Sequence, residues 1–408
     1  MGRRGDAVVE TREGVVFAAL GVPGDRVRLE QVSRKGKVRR GRIAAVLEAS
    51  PERVEPACAL AERCGGCAWM AWALEAQREA KRGALEAALR EAGAERAVEL
   101  VAGEALGYRR RARLAWSARG GRRLGYRERR GRRVVEVASC PVLVEALDAG
   151  WRALRAALGP ALAGEGEIRL GLRDGAAVAA LETEAAQGPA LYQACERLVG
   201  EGAFAGVAVR VGEAPAASWG APEERALGAD GEPLEGTVGG FAQAHAGLND
   251  ALARHVAAEA APEGKRVLEL YAGHGNLSVL LARGAAAFRA VEQDGPATEA
   301  LRANLAARGL AARVHAGDAA EARLEDAEVV VLDPPRSGAR EVARRLAEPN
   351  GVERVVYVSC DPATLGRDLA TLTAGGWTVE RAVAFDMFPQ TPHVETVVTL
   401  ERRPAGRR

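Results

Sequence analysis

Two sets of cysteines carry chemistry that can be read from this sequence. The run Val355-Val356-Tyr357-Val358-Ser359-Cys360-Asp361-Pro362 is a stretch of β-formers stopped by an acid and a proline. It predicts a parallel strand with Cys360 at its carboxyl end, where open α/β sheets place their ligands. A thiol there is either a buried core cysteine or a nucleophile. The second set begins with Cys58, Cys64 and Cys67, whose C-x5-C-x2-C spacing supplies three thiolates from one loop. Gly65 and Gly66 let that loop fold close to a ligand. Cys140, followed by Pro141, is the fourth candidate. Four thiolates with a terminal Cys-Pro suit an iron–sulfur cubane. A four-thiolate zinc site is the rival, although such sites pair two short C-x-x-C knuckles and one is present here. Inert thiols are the third reading. Trp69 and Trp72 are expected to pack over this site, and Cys195, without a ligand-spaced partner, to lie in the core.

The elements that must position Cys360 form a regular α/β alternation from Gly236 onward. The segment from Arg266 to Asn276 reads as a strand, a tight glycine turn (Gly273-His274-Gly275) and a helix start. One G-x-G is a weak signal. The next strand strengthens it by ending in Glu292, about 20 residues on, where nucleotide-binding folds place an acid on ribose hydroxyls. The turn lacks the full G-x-G-x-x-G spacing, so a dinucleotide is disfavoured and a smaller adenosyl cofactor suits it better. Two further strands end in polar groups, one at Asp333 before Pro334-Pro335-Arg336 and one at Cys360. The last strands carry Phe385 to Glu395, with an acid in strand register; an edge-exposed glutamate is the plain alternative.

Upstream, residues 7–49 read as short alternating strands (Ala7–Glu10, Val15–Ala18, Arg26–Val32, Ile43–Glu48), consistent with a small oligonucleotide-binding β-barrel. Its hairpin Arg34-Lys35-Gly36-Lys37-Val38-Arg39-Arg40 would face RNA, and Pro51 to Pro56 marks a boundary. A helix is expected from Leu74 to Ala92, then a mixed α/β region to about residue 230. A length of 408 residues allows two or three domains. The sequence holds no apolar run near the roughly 18 residues of a membrane span and no signal-peptide pattern, so a cytoplasmic protein is expected. Six cysteines in such a chain do not make a disulfide framework. Net charge is only +2, yet twelve arginines and one acid, Glu128, lie between Tyr108 and Arg133. Interleaved with Tyr108, Trp116 and Tyr126, that block fits nucleic acid through phosphate neutralisation and stacking; a solvated charged face is the alternative.

The ordered set F-x-Q (Phe241 to Gln243), L-x-x-G-x-G-N (Leu270 to Asn276), L-D-P-P-R (Leu332 to Arg336), V-S-C-D-P-x-T-L-x-R-D (Val358 to Asp368) and F-P-x-T-x-H-V-E (Phe388 to Glu395) resembles the S-adenosylmethionine-dependent RNA uracil-5-methyltransferases. With a TRAM-type barrel and the cysteine set in front, the chain looks most like the bacterial 23S rRNA enzymes that carry a [4Fe-4S] cluster. The resemblance spans the chain and is weakest over residues 145–230. It implies an α/β fold: a C-terminal Rossmann-like class I methyltransferase domain (residues 236–408), an N-terminal OB-like β-barrel of TRAM type (1–56) and a mixed α/β central domain with the four-cysteine site (57–235). It also implies Cys360 as nucleophile, Glu395 as general base, and Gln243, Tyr271, Asn276, Glu292, Asp318 and Asp333 as contacts of S-adenosyl-L-methionine. Cys58, Cys64, Cys67 and Cys140 would hold the cluster. His245 stands where the family often has Asn and receives no role; Ala272 replaces a frequent Cys.

The implied reaction is chemically coherent. C5 of uracil is too weak a nucleophile to take a methyl group from a sulfonium, and thiolate addition at C6 makes C5 an enolate carbon. A base must then remove the C5 proton. The thiol needs a cationic or hydrogen-bonding partner, which the sequence does not identify. The partner is expected to be RNA, with the target base extruded into the pocket, and the chain is expected to act as a monomer away from membranes. The readings left open are a tRNA T-loop substrate in place of 23S rRNA and a non-catalytic iron–sulfur RNA-binding factor. A cytosine-5 enzyme is disfavoured because Arg336 occupies the place where those proteins carry a second cysteine.

Overall fold

Three β-sheets follow one another in a computed structural model that describes residues 1–2 and 5–402, with the side chain of Lys35 outside the described set. The first sheet holds β1 (Ala7–Thr11), β2 (Gly14–Ala18), β3 (Arg26–Lys35) and β4 (Val38–Glu48), in the order β1-β2-β4-β3. Strands β3 and β4 are longer than their apolar cores suggested. Pairing continues to Lys35 opposite Val38, so the basic stretch is itself the tip of a hairpin. A loop carrying Cys58, Cys64 and Cys67 follows, then α1 (Leu74–Glu91) and β5 (Val98–Val101).

The second sheet is built on β6 (Ala112–Ser117), β7 (Arg123–Arg127) and β8 (Val134–Glu136), then β9 (Glu165–Arg173), β10 (Ala176–Thr183), β11 (Gly206–Val211) and β12 (Ala217–Gly220). The short pair β13 (Arg225–Leu227) and β14 (Pro233–Glu235) joins it through β9. Helices α2 (Glu145–Leu158) and α3 (Pro189–Gly200) cover one face, burying Trp151, Leu154, Leu191 and Cys195 in one cluster with Ile168 and Val207. Cys195 is therefore the core residue its sequence context predicts.

The third sheet comprises β15 (Arg266–Leu270), β16 (Ala287–Glu292), β17 (Arg313–Ala316), β18 (Val329–Leu332), β19 (Arg354–Ser359), β20 (Trp377–Phe385) and β21 (Glu395–Arg402), with β5 at one edge. Its order is β17-β16-β15-β18-β19-β21-β20-β5, parallel except for β21, which runs antiparallel between β19 and β20. Helices α4 (Ala246–Ala260), α5 (Ser278–Gly284), α6 (Gly295–Ala307), α7 (Arg340–Ala347) and α8 (Pro362–Ala374) flank it. This is the open α/β sheet that the alternation predicts, and it agrees with the Rossmann-like domain that the resemblance implies. Strand β18 is buried along its whole length, as a central parallel strand covered on both faces should be. No helix among the described residues is long and apolar enough to cross a membrane.

One expected boundary is corrected. Residues 74–101, read from sequence as part of the central domain, belong to the third sheet. Strand β5 pairs in parallel with β20, which removes an open sheet edge. Helix α1 buries Leu85 and Leu89 in the same core as Leu365, Leu369 and Trp377. Gly366 of α8 allows that approach, because a Cβ there would meet the Ala88 backbone at 3.2 Å. The periodicity of α1 shows a helix with an apolar stripe; it does not name the sheet that receives the stripe.

The same helix carries a fully buried ion pair, Lys81 Nζ to Asp386 Oδ1 at 2.5 Å, with Nζ also donating to the Phe388 carbonyl at 2.9 Å. Burial pushes the Lys81 pKa down, and the Asp386 charge opposes that. Without Lys81, Asp386 keeps only the longer contact to Arg78 Nε at 3.5 Å in a site closed to solvent, and without Asp386 the Lys81 charge is stranded. Lys81→Ala should cost about 3–5 kcal/mol in chemical denaturation, and Lys81→Met combined with Asp386→Leu should recover most of the loss. A single variant as stable as the parent would refute this.

Candidate active site

A cavity of about 610 Å³ opens at the carboxyl ends of β15, β16, β18 and β19. Strand β18 lies beside β15, where the strand order reverses, which is the ligand crevice of open α/β sheets. After β15 the chain turns through Tyr271 (φ +62°), Gly273 (φ +55°) and Gly275 (φ +99°). Glycine is required at position 275, since a Cβ would meet Leu301 at 2.8 Å. Glu292 closes this turn from the next strand by accepting from the backbone N–H of Gly273 (2.8 Å) and of Asp294 (2.7 Å). Asn276 is locked in a reciprocal amide pair with Asn249 of α4, at 2.9 and 3.0 Å.

Cys360 is placed by its neighbours. Asp361 accepts from the N–H groups of Ala363 and Thr364 and so caps α8, and Pro362 opens that helix; together they force the chain from strand to helix directly after the thiol. Ser359 is the last β19 residue paired with β21, opposite Thr396. One step further along this register, Cys360 stands beside Glu395. Both line the cavity with Asp333, Arg336, Phe388 and His393.

The electrostatics of this corner are acidic. Burial, then the charges of Glu395 and Asp333, pushes the Cys360 thiol up to about 12, with Arg336 pulling the other way. Burial raises Asp333 to about 7. Glu395 rises well above the carboxylate range through burial and the neighbouring Asp333, again opposed by Arg336. Burial and mutual repulsion thus favour the protonated form of both acids. Two buried acceptors at the cavity, Gln243 Oε1 and Glu395 Oε2, have no hydrogen-bond partner. An orphaned buried acceptor in a cavity wall is the signature of a missing donor. Glu269 lines the floor, donated to by Ser278 Oγ at 2.5 Å and raised by burial to about 8.

The four ligand-spaced cysteines also converge. Cys58, Cys67 and Cys140 pack on one cluster with Ala61, Met70, Tyr108 and Val142. Cys64 is close enough to Cys58, Cys67 and Cys140 for their charges to be felt. Burial raises Cys64 and Cys140, and takes Cys67 to about 12, with Cys140 and Cys64 adding to it. The loop is held by Arg129, whose Nη2 donates to the carbonyls of Ala61, Cys64 and Cys67 at 3.3–3.4 Å. Gly65 lets it pair with the end of β7, its N–H donating to the Arg127 carbonyl at 3.2 Å. Convergence is as far as the match goes: among the described residues no group of three or more His, Cys, Asp or Glu is arranged to hold a metal ion. The tryptophans are a correction. Trp69 and Trp72 pack edge to face, 5.0 Å apart, with Val22, Ala68 and Ala71 rather than over the sulfurs.

Residues 235–403 match the family described as tRNA (Uracil-5-)-methyltransferase. A 23S rRNA (uracil(1939)-C(5))-methyltransferase RlmD from Chromohalobacter salexigens is 37% identical, over 96% of this chain and 86% of its own length. The protein of the same name from Pseudomonas entomophila is 35% identical over 98% of this chain and 91% of its own. The chain belongs to the RNA uracil-5-methyltransferase family. In fold it is also similar to a Pyrococcus abyssi tRNA (uracil-54, C5)-methyltransferase solved with S-adenosyl-L-homocysteine, with a TM-score of 0.75, 97% coverage of both chains and 24% identity.

Within this methyltransferase, Gln243, Tyr271, Asn276, Glu292, Asp333, Cys360 and Glu395 all line one cavity. Asp318 does not. Its carboxylate caps the short turn Ala319–Glu321 by accepting from Ala320 N–H, while its neighbours Gly317 and Ala319 form the wall. His245, given no role, caps α4 by accepting from Leu248 N–H at 3.4 Å. Arg336 supplies what the sequence left unidentified, a cation beside the thiol. Its position next to Pro335 was in view, but the direction of its charge toward Cys360 depends on how β18 and β19 lie side by side.

A thiol raised to about 12 reacts slowly with alkylating agents at neutral pH, and its rate climbs with pH as thiolate forms. Iodoacetamide labelling of Cys360, followed by peptide mass spectrometry, should therefore show no plateau below about pH 10. Arg336→Ala should slow labelling further, because removing the cation raises the pKa again. Faster labelling in that variant would overturn the assignment of Arg336.

Proposed function

We propose that this chain methylates C5 of a uridine in 23S rRNA from S-adenosyl-L-methionine, with Cys360 as nucleophile and Glu395 as base. The observation that carries this reading is the register of β19 and β21, which brings a thiol and a buried carboxyl side by side at the mouth of an adenosyl-sized cavity. Cys360 loses its proton to solvent and adds its sulfur, as thiolate, to C6, forming the S–C6 bond and shifting the C5–C6 π pair onto the enolate of which C5 is the carbon terminus. The bound cofactor supplies an electrophilic methyl group on a sulfonium. Glu395 then accepts the C5 proton; the released pair re-forms the C5–C6 double bond and expels the Cys360 thiolate. Arg336 favours the thiolate at both ends of the cycle.

The cavity residues fit the cofactor. Glu269, Glu292, Asp333 and Glu395 make its walls acidic, suited to a sulfonium cation. The Glu292 carboxylate accepts two backbone N–H groups and keeps lone pairs for ribose hydroxyls. Gln243 offers an unpartnered carbonyl, and Tyr271 and Asn276 complete the adenosyl wall. The RlmD relatives, aligned along nearly the whole chain, favour 23S rRNA over the tRNA T-loop. The first sheet, with its basic hairpin, is read as a TRAM-type RNA-binding element, and the arginine-rich strands β6 to β8 as a second contact.

The four converging thiols fit a [4Fe-4S] cluster in donor type and number. Buried sulfurs that raise one another's pKa become thiolates only beside a compensating cation. Such a cluster would supply structural cross-linking of the loop to Cys140. Protein purified without oxygen should contain iron and acid-labile sulfide, and Cys140→Ser should lose both; zinc in their place would favour the rival site.

The activity itself is tested by mass-spectrometric mapping of 5-methyluridine in rRNA and tRNA from a deletion strain. Loss at one 23S position, restored by the parent gene and not by Cys360→Ala, is expected. Glu395→Gln should lower turnover on the order of 10²–10⁴-fold and accumulate a covalent enzyme–RNA adduct on denaturing gels. Loss at the T-loop alone would overturn the substrate; no loss at any position would overturn the enzyme.

A further inference from the structure

Resting on that assignment of Glu395, we infer that Gln77, with Tyr108 and Trp69, forms a brace that positions the catalytic base from outside the methyltransferase sheet's own loops. Glu395 is the first residue of β21 and pairs with Phe385, the last of β20, so the segment from Asp386 to Val394 is the hairpin connection that leads into it. Three consecutive carbonyls of that connection accept from distant donors. Phe388 O accepts from Lys81 Nζ (2.9 Å), Pro389 O from the Tyr108 hydroxyl (3.3 Å) and Gln390 O from Trp69 N–H (2.9 Å).

Gln390 is the centre of this arrangement. It holds a left-handed backbone, φ +67°, which is strained for a non-glycine residue and persists only when surroundings over-determine it. Gln77 supplies that constraint. Its Oε1 accepts from Gln390 N–H at 2.9 Å, and its Nε2 faces Gln390 Oε1 (3.0 Å), Trp69 O (3.0 Å) and Trp72 O (2.7 Å). Two amide hydrogens shared among three acceptors, on a fully buried side chain, leave Gln77 no other orientation.

The brace also reaches the segment that follows Gln243 and the cysteine loop. The Tyr108 ring stacks on His245 (centroids 4.9 Å, 19° between planes), two residues from Gln243. Its other side packs in the cluster that includes Cys58, Cys67 and Cys140. Trp69 follows Cys67 by two residues. The cysteine loop is thereby mechanically continuous with the hairpin that ends in His393 and Glu395. Gln77 and Tyr108 touch neither substrate nor the reacting atoms; they act through Glu395, and the step they serve is the removal of the C5 proton.

The test uses the full chain with its RNA substrate and S-adenosyl-L-methionine, comparing Gln77→Leu and Tyr108→Phe with Glu395→Gln. Tyr108→Phe keeps the ring stack and loses only the hydroxyl to Pro389. Both variants should lower kcat about 10–100-fold, the cost of misplacing a catalytic group by a fraction of an ångström to an ångström. KM for RNA and for the cofactor should stay within about twofold. The decisive readout is the covalent enzyme–RNA adduct, whose steady-state fraction should rise toward that of Glu395→Gln. A fall in kcat with no rise in adduct, or parent-like turnover in both variants, would overturn the brace. A parent enzyme that forms neither 5-methyluridine nor any adduct would overturn the underlying activity, a result distinct from either.

Discussion

Strand β21 runs antiparallel between two strands that otherwise point the same way, and the active site depends on that reversal. In a wholly parallel sheet, residues at the start of one strand lie at the opposite end from the carboxyl ends of its neighbours. Reversal brings the first residue of β21, Glu395, to the carboxyl end of β19, beside Cys360. The thiol and the buried carboxyl come from stretches 35 residues apart, yet their relation is set by one backbone ladder rather than by flexible loops. Backbone hydrogen bonds of that ladder are buried and cannot be traded for water, so the register is rigid.

The electrostatic character of the site follows from the same geometry. A sheet crevice gathers whatever the strand ends carry, and here these are Glu269, Glu292, Asp333, Cys360 and Glu395 with one cation, Arg336, at the rim. Burial and neighbouring like charge push Glu269, Asp333, Glu395 and the Cys360 thiol toward their protonated forms. That resting state is poised for a cationic partner. A sulfonium would relieve the acids, and its departure after methyl transfer would restore a group able to hold a proton.

The outer parts of the chain are not passive appendages. Helix α1 and strand β5 precede the second sheet in sequence but complete the third in space. The cysteine loop lies between the first sheet and α1 and shares contacts with Tyr108, which stacks on His245 and donates to the Pro389 carbonyl beside the cavity residue Phe388. A buried ion pair, Lys81 with Asp386, anchors to α1 the start of the hairpin that leads to Glu395. Buried pairs of this kind add little net stability over an apolar equivalent but leave few alternative arrangements. Orientation of the hairpin is the property such a pair can supply here.

Much of this protein was legible before folding. The α/β alternation, the glycine turn, Glu292 at its strand end and Cys360 before Asp361-Pro362 are local patterns, because strand length, turn conformation and helix caps depend on neighbouring residues. Seven of the residues singled out for the active cavity line it, although Gln243, Tyr271, Asn276 and the role of Glu395 came from the family resemblance rather than from local pattern. Asp318 shows the limit: an acid after a short strand looks the same whether it faces a ligand or caps the next turn, and here it caps. Local sequence was equally silent on the place of α1 and β5, the packing of Trp69 and Trp72 away from the sulfurs, and the charge of Arg336 beside the thiol. These were decided only in the tertiary structure, because each rests on which surface receives an apolar face or a buried charge. That choice is made between segments hundreds of residues apart, as Gln77 meeting Gln390 illustrates, and no local pattern encodes it.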